Sequence, residues 1–323
     1  MNKKSSLNQI SKQLLTAELK SPAKVNLRLK VTGRRSDGYH LLSMLNCLTD
    51  FSDTVCISIT ADPIITVVTE LIPPAHGQDL VDLNNLLTNL AARAARLFFD
   101  HFGLSFGATI QIEKRIPLGG GLGGGSGNAA VVLKHLARAF ADQLCISKEI
   151  LAELAALIGS DVPFMLEGGL GVVTGIGERV KTFPQHPLAQ EPIWLILPPF
   201  GIETATVFAE LRKEDISTFT QDLGLDEFAR GLNSGQSLRE DVLALLDNDL
   251  LARAGASSPK IAAFHQQLAS IPSLAASMSG SGSTLFAVSR APLKGADQVN
   301  KVTEMLRQSF ESQGVNVIQT LIL

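Results

Sequence analysis

The chain has 323 residues and a formal net charge of −3, with 45% hydrophobic and 18% charged residues, a balance that excludes a disordered chain. Its 28 Lys and Arg against 31 Asp and Glu form no basic block, which excludes a nucleic-acid or anionic-membrane surface as the main function. No apolar run approaches the ~18 residues of a transmembrane helix, and at ~150 residues per domain the length predicts two domains.

Residues 1–20 carry Lys3 and Lys4 and no apolar stretch, so they read as a loose polar extension rather than a secretory signal. From Ala23 to Val31 the sequence alternates. Val25, Leu27, Leu29 and Val31 point one way while Lys24, Asn26, Arg28 and Lys30 point the other, the pattern of a half-buried strand. Residues 32–38 are turn-like. Val55, Ile57 and Ile59 mark a second strand, followed by one at 64–68. Asp82 is expected to cap a helix whose stripe is Leu83, Leu86, Leu87, Leu90, Ala94, Leu97 and Phe98, ending at Gly103. Ile110, Ile112 and Ile116 mark a strand leading into a run of glycines, and 128–144 reads as an Ala- and Leu-rich helix. A short helix over 148–158 stops at Gly159, and Ser160 or Asp161 caps the next, with Pro163 in its first turn. Pro184, Pro187 and Pro192 punctuate a polar stretch, placing a boundary near 180 between an N-terminal domain, 1–180, and a C-terminal domain, 181–323. The second domain is expected to hold a strand at 193–197, helices at 205–211, 241–254 and 260–269, and a strand–turn–strand over 275–288. A helix at 296–310 and a strand at 315–323 close the chain. The mixed order favours an α+β fold over a doubly wound sheet.

Three cysteines, Cys47, Cys56 and Cys145, are odd in number and lack CxxC spacing, which fits a reducing cytoplasm. The six histidines form no HExxH pair, so no protein-built transition-metal site is expected.

Seven of the 27 glycines fall between Gly119 and Gly127. A flexible linker does not fit, because the run lies between an alternating strand and a helical segment and contains Leu122. Glycines let backbone N–H groups approach phosphate oxygens, and the following helix adds its unpaired N–H groups and positive dipole end. A Walker A loop needs a Gly-Lys dipeptide, which the chain lacks. Gly119, Gly121 and Gly124 match GxGxxG only as a glycine-dense run does by accident; the preceding strand, with Gln111, Glu113, Lys114 and Arg115 on its polar positions, is no dinucleotide-fold strand.

The segment Pro117-Leu118-Gly119-Gly120-Gly121-Leu122-Gly123-Gly124-Gly125-Ser126-Gly127 resembles the phosphate loop of the GHMP kinase superfamily. Pro22-Ala23-Lys24-Val25-Asn26-Leu27, Gly33 to His40, Gly159-Ser160-Asp161-Val162-Pro163-Phe164 and the turn from Met278 to Ser283 are similar to other motifs of that superfamily. The first two point to the branch serving the non-mevalonate isoprenoid pathway. The resemblance implies a two-domain GHMP kinase fold with the active site in the interdomain cleft, and ATP with Mg²⁺ but no dedicated protein metal cage. The substrate it implies is a cytidine diphosphate derivative of methylerythritol, with 1–180 binding the nucleotide and 181–323 on the substrate side.

On pattern alone Lys24 is a solvated strand lysine and Asp161 a helix cap. The resemblance makes Asp161 the general base and Lys24 its electrostatic helper, with Asn26 placing the substrate hydroxyl. It implies that Tyr39 stacks on the cytosine, that His40 hydrogen-bonds near it, and that Phe208, ahead of Phe200, covers the other face. Members for other small alcohols, such as homoserine or mevalonate, have no base to stack, so Tyr39 and His40 argue against them. Lys24 and Asp161 together argue against a non-catalytic nucleotide-binding relative. Where members commonly carry a second serine, this chain has Gly127, which removes a hydroxyl from the helix start.

Overall fold

A computed structural model describes residues 15–76, 82–212, 223–234 and 239–323. In chain order the elements are β1 (Thr16–Arg34), β2 (His40–Thr60), β3 (Ile65–Leu71), α1 (Leu90–His101), β4 (Gly107–Lys114), α2 (Gly124–Ala139), α3 (Lys148–Ile158) and α4 (Val162–Glu167). There follow β5 (Leu170–Gly175), β6 (Arg179–Phe183), β7 (Pro192–Leu197), α5 (Thr204–Ala209), α6 (Leu223–Ser234), α7 (Arg239–Leu245) and β8 (Asp247–Asn248). The chain ends with α8 (Leu251–Ser257), α9 (Pro259–Ala269), β9 (Leu274–Met278), β10 (Leu285–Ser289), α10 (Ala296–Phe310) and β11 (Asn316–Leu321). Because β1 starts at Thr16, residues 16–20 are strand and not part of a loose extension; residues 1–14 lie outside the described residues.

The described residues form two compact units built from alternating stretches of chain. Of the described residues, the first takes 15–23, 52–76, 82–116 and 123–167, and the second takes 24–51, 117–122, 168–212, 223–234 and 239–323.

In the first unit, β4 pairs antiparallel with the second half of β2, from Thr54↔Glu113 to Thr60↔Gly107, and parallel with β3, from Ile65↔Ala108 to Leu71↔Lys114. Ile110 and Ile112 are buried, as the alternation of β4 requires. The first helix starts later than Asp82: its cap is Asn89, whose side chain accepts from the N–H groups of Ala91 and Ala92. Residues 83–88 are turns, and Leu87, assigned by spacing to an apolar stripe, is 73% exposed. Ala91, Ala92, Ala94 and Ala95 are buried on α1, small side chains that allow α2 to pack close. Aromatic mass concentrates beside them, with Phe98 and Phe140 at 6.0 Å and Phe106 and Phe140 at 5.3 Å between ring centroids. The helix after the glycines begins at Gly124, inside the run, and ends at Ala139. For α3 the reading matches: Ser147 Oγ accepts from Ile150 N–H at its start, and Gly159 follows its end.

In the second unit, β11, β7, β10 and β9 form a four-stranded sheet, antiparallel throughout. At its centre Trp194 is fully buried, and its indole N–H donates to Thr303 Oγ1 of α10 at 2.8 Å. The first half of β2 pairs antiparallel with β5, which forms a hairpin with β6. The helix expected over 241–254 is broken. Asp247 and Asn248 leave it to pair in parallel with Arg28 and Leu29 of β1. Asn248 holds that break: its Nδ2 donates to the carbonyls of Met278 and Gly280 at 2.7 and 2.8 Å, and its Oδ1 accepts from Leu250 N–H.

Candidate active site

The glycine loop contributes to both units, so each half has its own surroundings. In the second unit, the Gly119 carbonyl accepts from Ile202 and Ser283 N–H, and the Gly120 carbonyl from Thr284 N–H. Gly121 has φ +73°, and a Cβ there would overlap the Ser279 carbonyl and lie 3.0 Å from the Gly282 carbonyl. Ser279 fastens three segments: its hydroxyl donates to the Gly121 carbonyl at 2.9 Å and accepts from Asn26 N–H at 3.2 Å. Leu122 closes this half by accepting from Lys24 N–H at 2.9 Å. The Met278 to Ser283 turn thus packs closely against the loop through backbone contacts and the Ser279 hydroxyl.

In the first unit, Gly123 caps α2 in the left-handed region with φ 65°, and no side chain caps the helix, so its first N–H groups are free of side-chain partners. A Cβ on Gly124 would lie 2.5 Å from Lys114 Nζ. Lys114, read as a polar-face strand residue, is in fact buried, and pairs with the fully buried Asp53 at 2.5 Å. Asp53 Oδ1 also accepts from Arg115 and Ile116 N–H, both at 2.8 Å, immediately before the loop. Burial holds the Lys114 ammonium below its ordinary range, against the upward pull of Asp53. At Gly127, a Cβ would meet Ser21 Oγ at 2.7 Å and Met165 Cε at 3.0 Å. Glycine there follows from the lack of room beside the fully buried Ser21.

Asp161 directly precedes α4, half-buried, and its carbonyl accepts from Met165 N–H at 3.0 Å, which is the backbone position of a helix cap.

Lys24 and Asn26 sit two residues apart on β1 and are both buried, so neither is a solvated strand residue. Lys24 Nζ donates to Asn26 Oδ1 at 2.5 Å. Asn26 Nδ2 donates to Asn46 Oδ1 at 2.7 Å and to Met44 Sδ at 3.4 Å, both on β2. Asn46 is a residue that sequence reasoning missed: nothing in its spacing links it to Asn26. Tyr39 follows a turn in which Arg35 N–H donates to the Tyr39 carbonyl at 2.7 Å, and it is 62% exposed. The rings of His40 and Phe208 lie 5.1 Å apart with 33° between their planes. Burial, aided by the charge of Arg34, holds His40 below its ordinary range, which favours a neutral ring. Phe208 is thereby brought to the predicted histidine.

Comparisons with known proteins identify the family. The family pattern described as "GHMP kinases N terminal domain" matches residues 89–169, and that described as "GHMP kinases C terminal" matches residues 220–312. The chain belongs to the GHMP kinase family. It is 36% identical over 295 residues to a 4-diphosphocytidyl-2-C-methyl-D-erythritol kinase from Carboxydothermus hydrogenoformans, covering 90% of this chain and 94% of that protein. It is 35% identical over 295 residues to the protein of the same name from Clostridium botulinum, covering 90% and 97%. Among solved structures, it is similar to a 4-(cytidine 5'-diphospho)-2C-methyl-D-erythritol kinase, with TM-score 0.67, 30% identity and coverage of 95% and 99%. A homoserine kinase from Cytophaga hutchinsonii gives TM-score 0.70 at 17% identity, covering 97% and 96%, a likeness of fold.

Proposed function

We propose that this chain transfers the γ-phosphoryl group of ATP to the 2-hydroxyl of 4-diphosphocytidyl-2-C-methyl-D-erythritol, in the cytoplasm, as a step of the non-mevalonate isoprenoid pathway. The observation that carries the substrate reading is the pairing of His40 with Phe208 next to the exposed Tyr39. Flat aromatic faces suit an acceptor that carries a base and serve no purpose for homoserine or mevalonate. Relatives named for this activity, identical at about one residue in three along nine-tenths of the chain, support the same choice.

In this reading Asp161 removes the proton from the substrate hydroxyl as its oxygen attacks the γ-phosphorus, and ADP leaves. Lys24 stabilises the negative charge developing on that oxygen, and Asn26 orients the hydroxyl. Residues 117–127 hold the triphosphate with backbone N–H groups and the N-terminal end of α2. The cradle suits phosphates because its glycines leave backbone, not side chains, facing the ligand. When bound with the ATP, Mg²⁺ would neutralise phosphate charge during the transfer. In this reading the ion would be held largely by phosphate and water. The division into a nucleotide-binding 1–180 and a substrate-side 181–323 belongs to the same proposal; the family segments 89–169 and 220–312 fall on either side of that boundary.

The test is ADP release by the purified protein with ATP and Mg²⁺, offering the diphosphocytidyl substrate beside homoserine and mevalonate. Release with the first alone is expected, and none with it refutes the proposal. Asp161→Asn should keep the fold and lose most turnover, whereas a residue acting only as a cap would tolerate the change.

A further inference from the structure

The orientation of the Asn26 amide can be worked outward from Lys24. A lysine ammonium has three donors and no acceptor, so the atom facing Lys24 Nζ at 2.5 Å must be the Asn26 oxygen. The Asn26 nitrogen then faces Asn46 at 2.7 Å, and Asn46 must present its own oxygen. The second hydrogen of Asn26 Nδ2 goes to Met44 Sδ at 3.4 Å. Both hydrogens of Asn26 Nδ2 are therefore used, while Asn26 Oδ1 keeps a second lone pair besides the one facing Lys24. The cost falls on Asn46. Its Nδ2 is buried with no hydrogen-bond partner, and the residue is 0% exposed. A buried orphan donor lowers stability, and an apolar residue of similar size would avoid it.

We infer that Asn46 is a positioning residue for the transfer: it gives the Asn26 NH₂ group its one strong acceptor and so holds the amide oxygen, with the Lys24 ammonium paired to it, in place. This rests on the roles proposed above for Lys24 and Asn26. Without Asn46 the Asn26 Nδ2 keeps only the weak thioether acceptor of Met44, so the amide and the ammonium paired with it are held less firmly. A shift of about 1 Å in such a group lowers turnover by on the order of 100-fold. The effect belongs in kcat, because Asn46 acts through Asn26 and Lys24 rather than through the triphosphate.

The experiment compares Asn46→Leu in the wild-type and Asn26→Asp backgrounds, with Lys24→Met alongside. Asn46→Leu alone should lower kcat by about 10- to 100-fold, leave KM for ATP within about twofold, and leave the melting temperature close to wild type. In the Asn26→Asp background either carboxylate oxygen can face Lys24 however the group turns. There, Asn46→Leu should cost less than about twofold in kcat relative to Asn26→Asp. Wild-type kcat in Asn46→Leu, equal losses in both backgrounds, or a raised KM for ATP at constant kcat would each overturn the inference. If Lys24→Met keeps full activity, the underlying role of Lys24 fails and the inference fails with it. If Lys24→Met is inactive while Asn46→Leu is not, only the inference fails.

Discussion

The Asp53–Lys114 pair offers a sharp perturbation of the glycine loop's support. Asp53→Asn changes the charge but not the shape, and its remaining oxygen can still accept from the Arg115 and Ile116 N–H groups. What it removes is the counter-ion of an ammonium buried beside Gly124. Breaking a buried pair in this way costs about 3–5 kcal/mol, because the surviving charge is left in a medium that solvates it poorly. At about 2–4 °C per kcal/mol, the melting temperature should fall by roughly 10 °C. The loss should also depend on pH. Burial already holds Lys114 below its ordinary 10.5, and Asp53 opposes that depression, so the variant's lysine is depressed further. The folded variant then sheds a proton that the unfolded chain keeps up to about pH 10.5. The unfolded state binds more protons throughout that window, so stability rises with pH, and the deficit against wild type should be larger at pH 7 than at pH 9.5. Urea unfolding followed by far-UV circular dichroism at both pH values, on Asp53→Asn, Lys114→Met and the double variant, measures this. The double variant, with neither charge, should recover most of the loss. A loss below about 1 kcal/mol for Asp53→Asn, or one that does not shrink at the higher pH, would refute the reasoning.

Gly121→Ala should lower the stability of the unliganded protein by about 2–4 kcal/mol, combining the left-handed backbone with displacement of the Ser279 turn. Gly125→Ala, whose Cβ meets only Leu90 Cδ1 at 3.6 Å, should instead gain about 0.5–1 kcal/mol; equal effects in urea titrations would contradict the packing described. Tyr39→Leu should raise KM for the cytidine-bearing substrate about 10-fold, leave KM for ATP unchanged and leave stability within about 0.5 kcal/mol, since only a stacking face is lost. Burial holds His40, His186 and His265 below their ordinary 6.5, so the unfolded chain binds more protons as pH falls through that value. Their contribution is intact above about pH 6.5 and declines below it, until the folded values are passed. Denaturant midpoints that stay level from pH 7.5 to 5.5, or a decline that His265→Gln leaves unchanged, would count against it.

Where local signals act alone, the fold was legible. α3 runs over the expected 148–158 and stops at Gly159, and α10 runs over the expected 296–310. The misreadings have physical causes. The first half of β2 is buried continuously from Ser43 to Thr49, so no alternation announces it. Leucines at 83–87 have helical spacing, but the cap that starts α1 is Asn89. Glycine's low helix propensity hides the start of α2 at Gly124, which packing against Lys114 and Ile116 sustains. The 241–254 pattern is interrupted by tertiary pairing with β1. Among the candidate residues, Lys24, Asn26, Tyr39 and Asp161 carry motif signals. Asn46 does not, because its partner lies 20 residues away on another strand. Asp53 and Lys114 lie 61 residues apart, and in sequence each looks like an ordinary surface charge.

The placement of Trp194 has an optical consequence. The chain has one tryptophan and one tyrosine, and both belong to the second unit. Excited at the red edge of the near-ultraviolet band, the protein emits only from an indole sealed in the four-stranded sheet and tied to Thr303. The first unit, with the Asp53–Lys114 pair, is dark at that wavelength. Emission therefore follows the melting of one unit while circular dichroism follows both. Any gap between the two curves reads out, without a label, which unit yields first and whether a substitution in the dark unit is felt in the bright one.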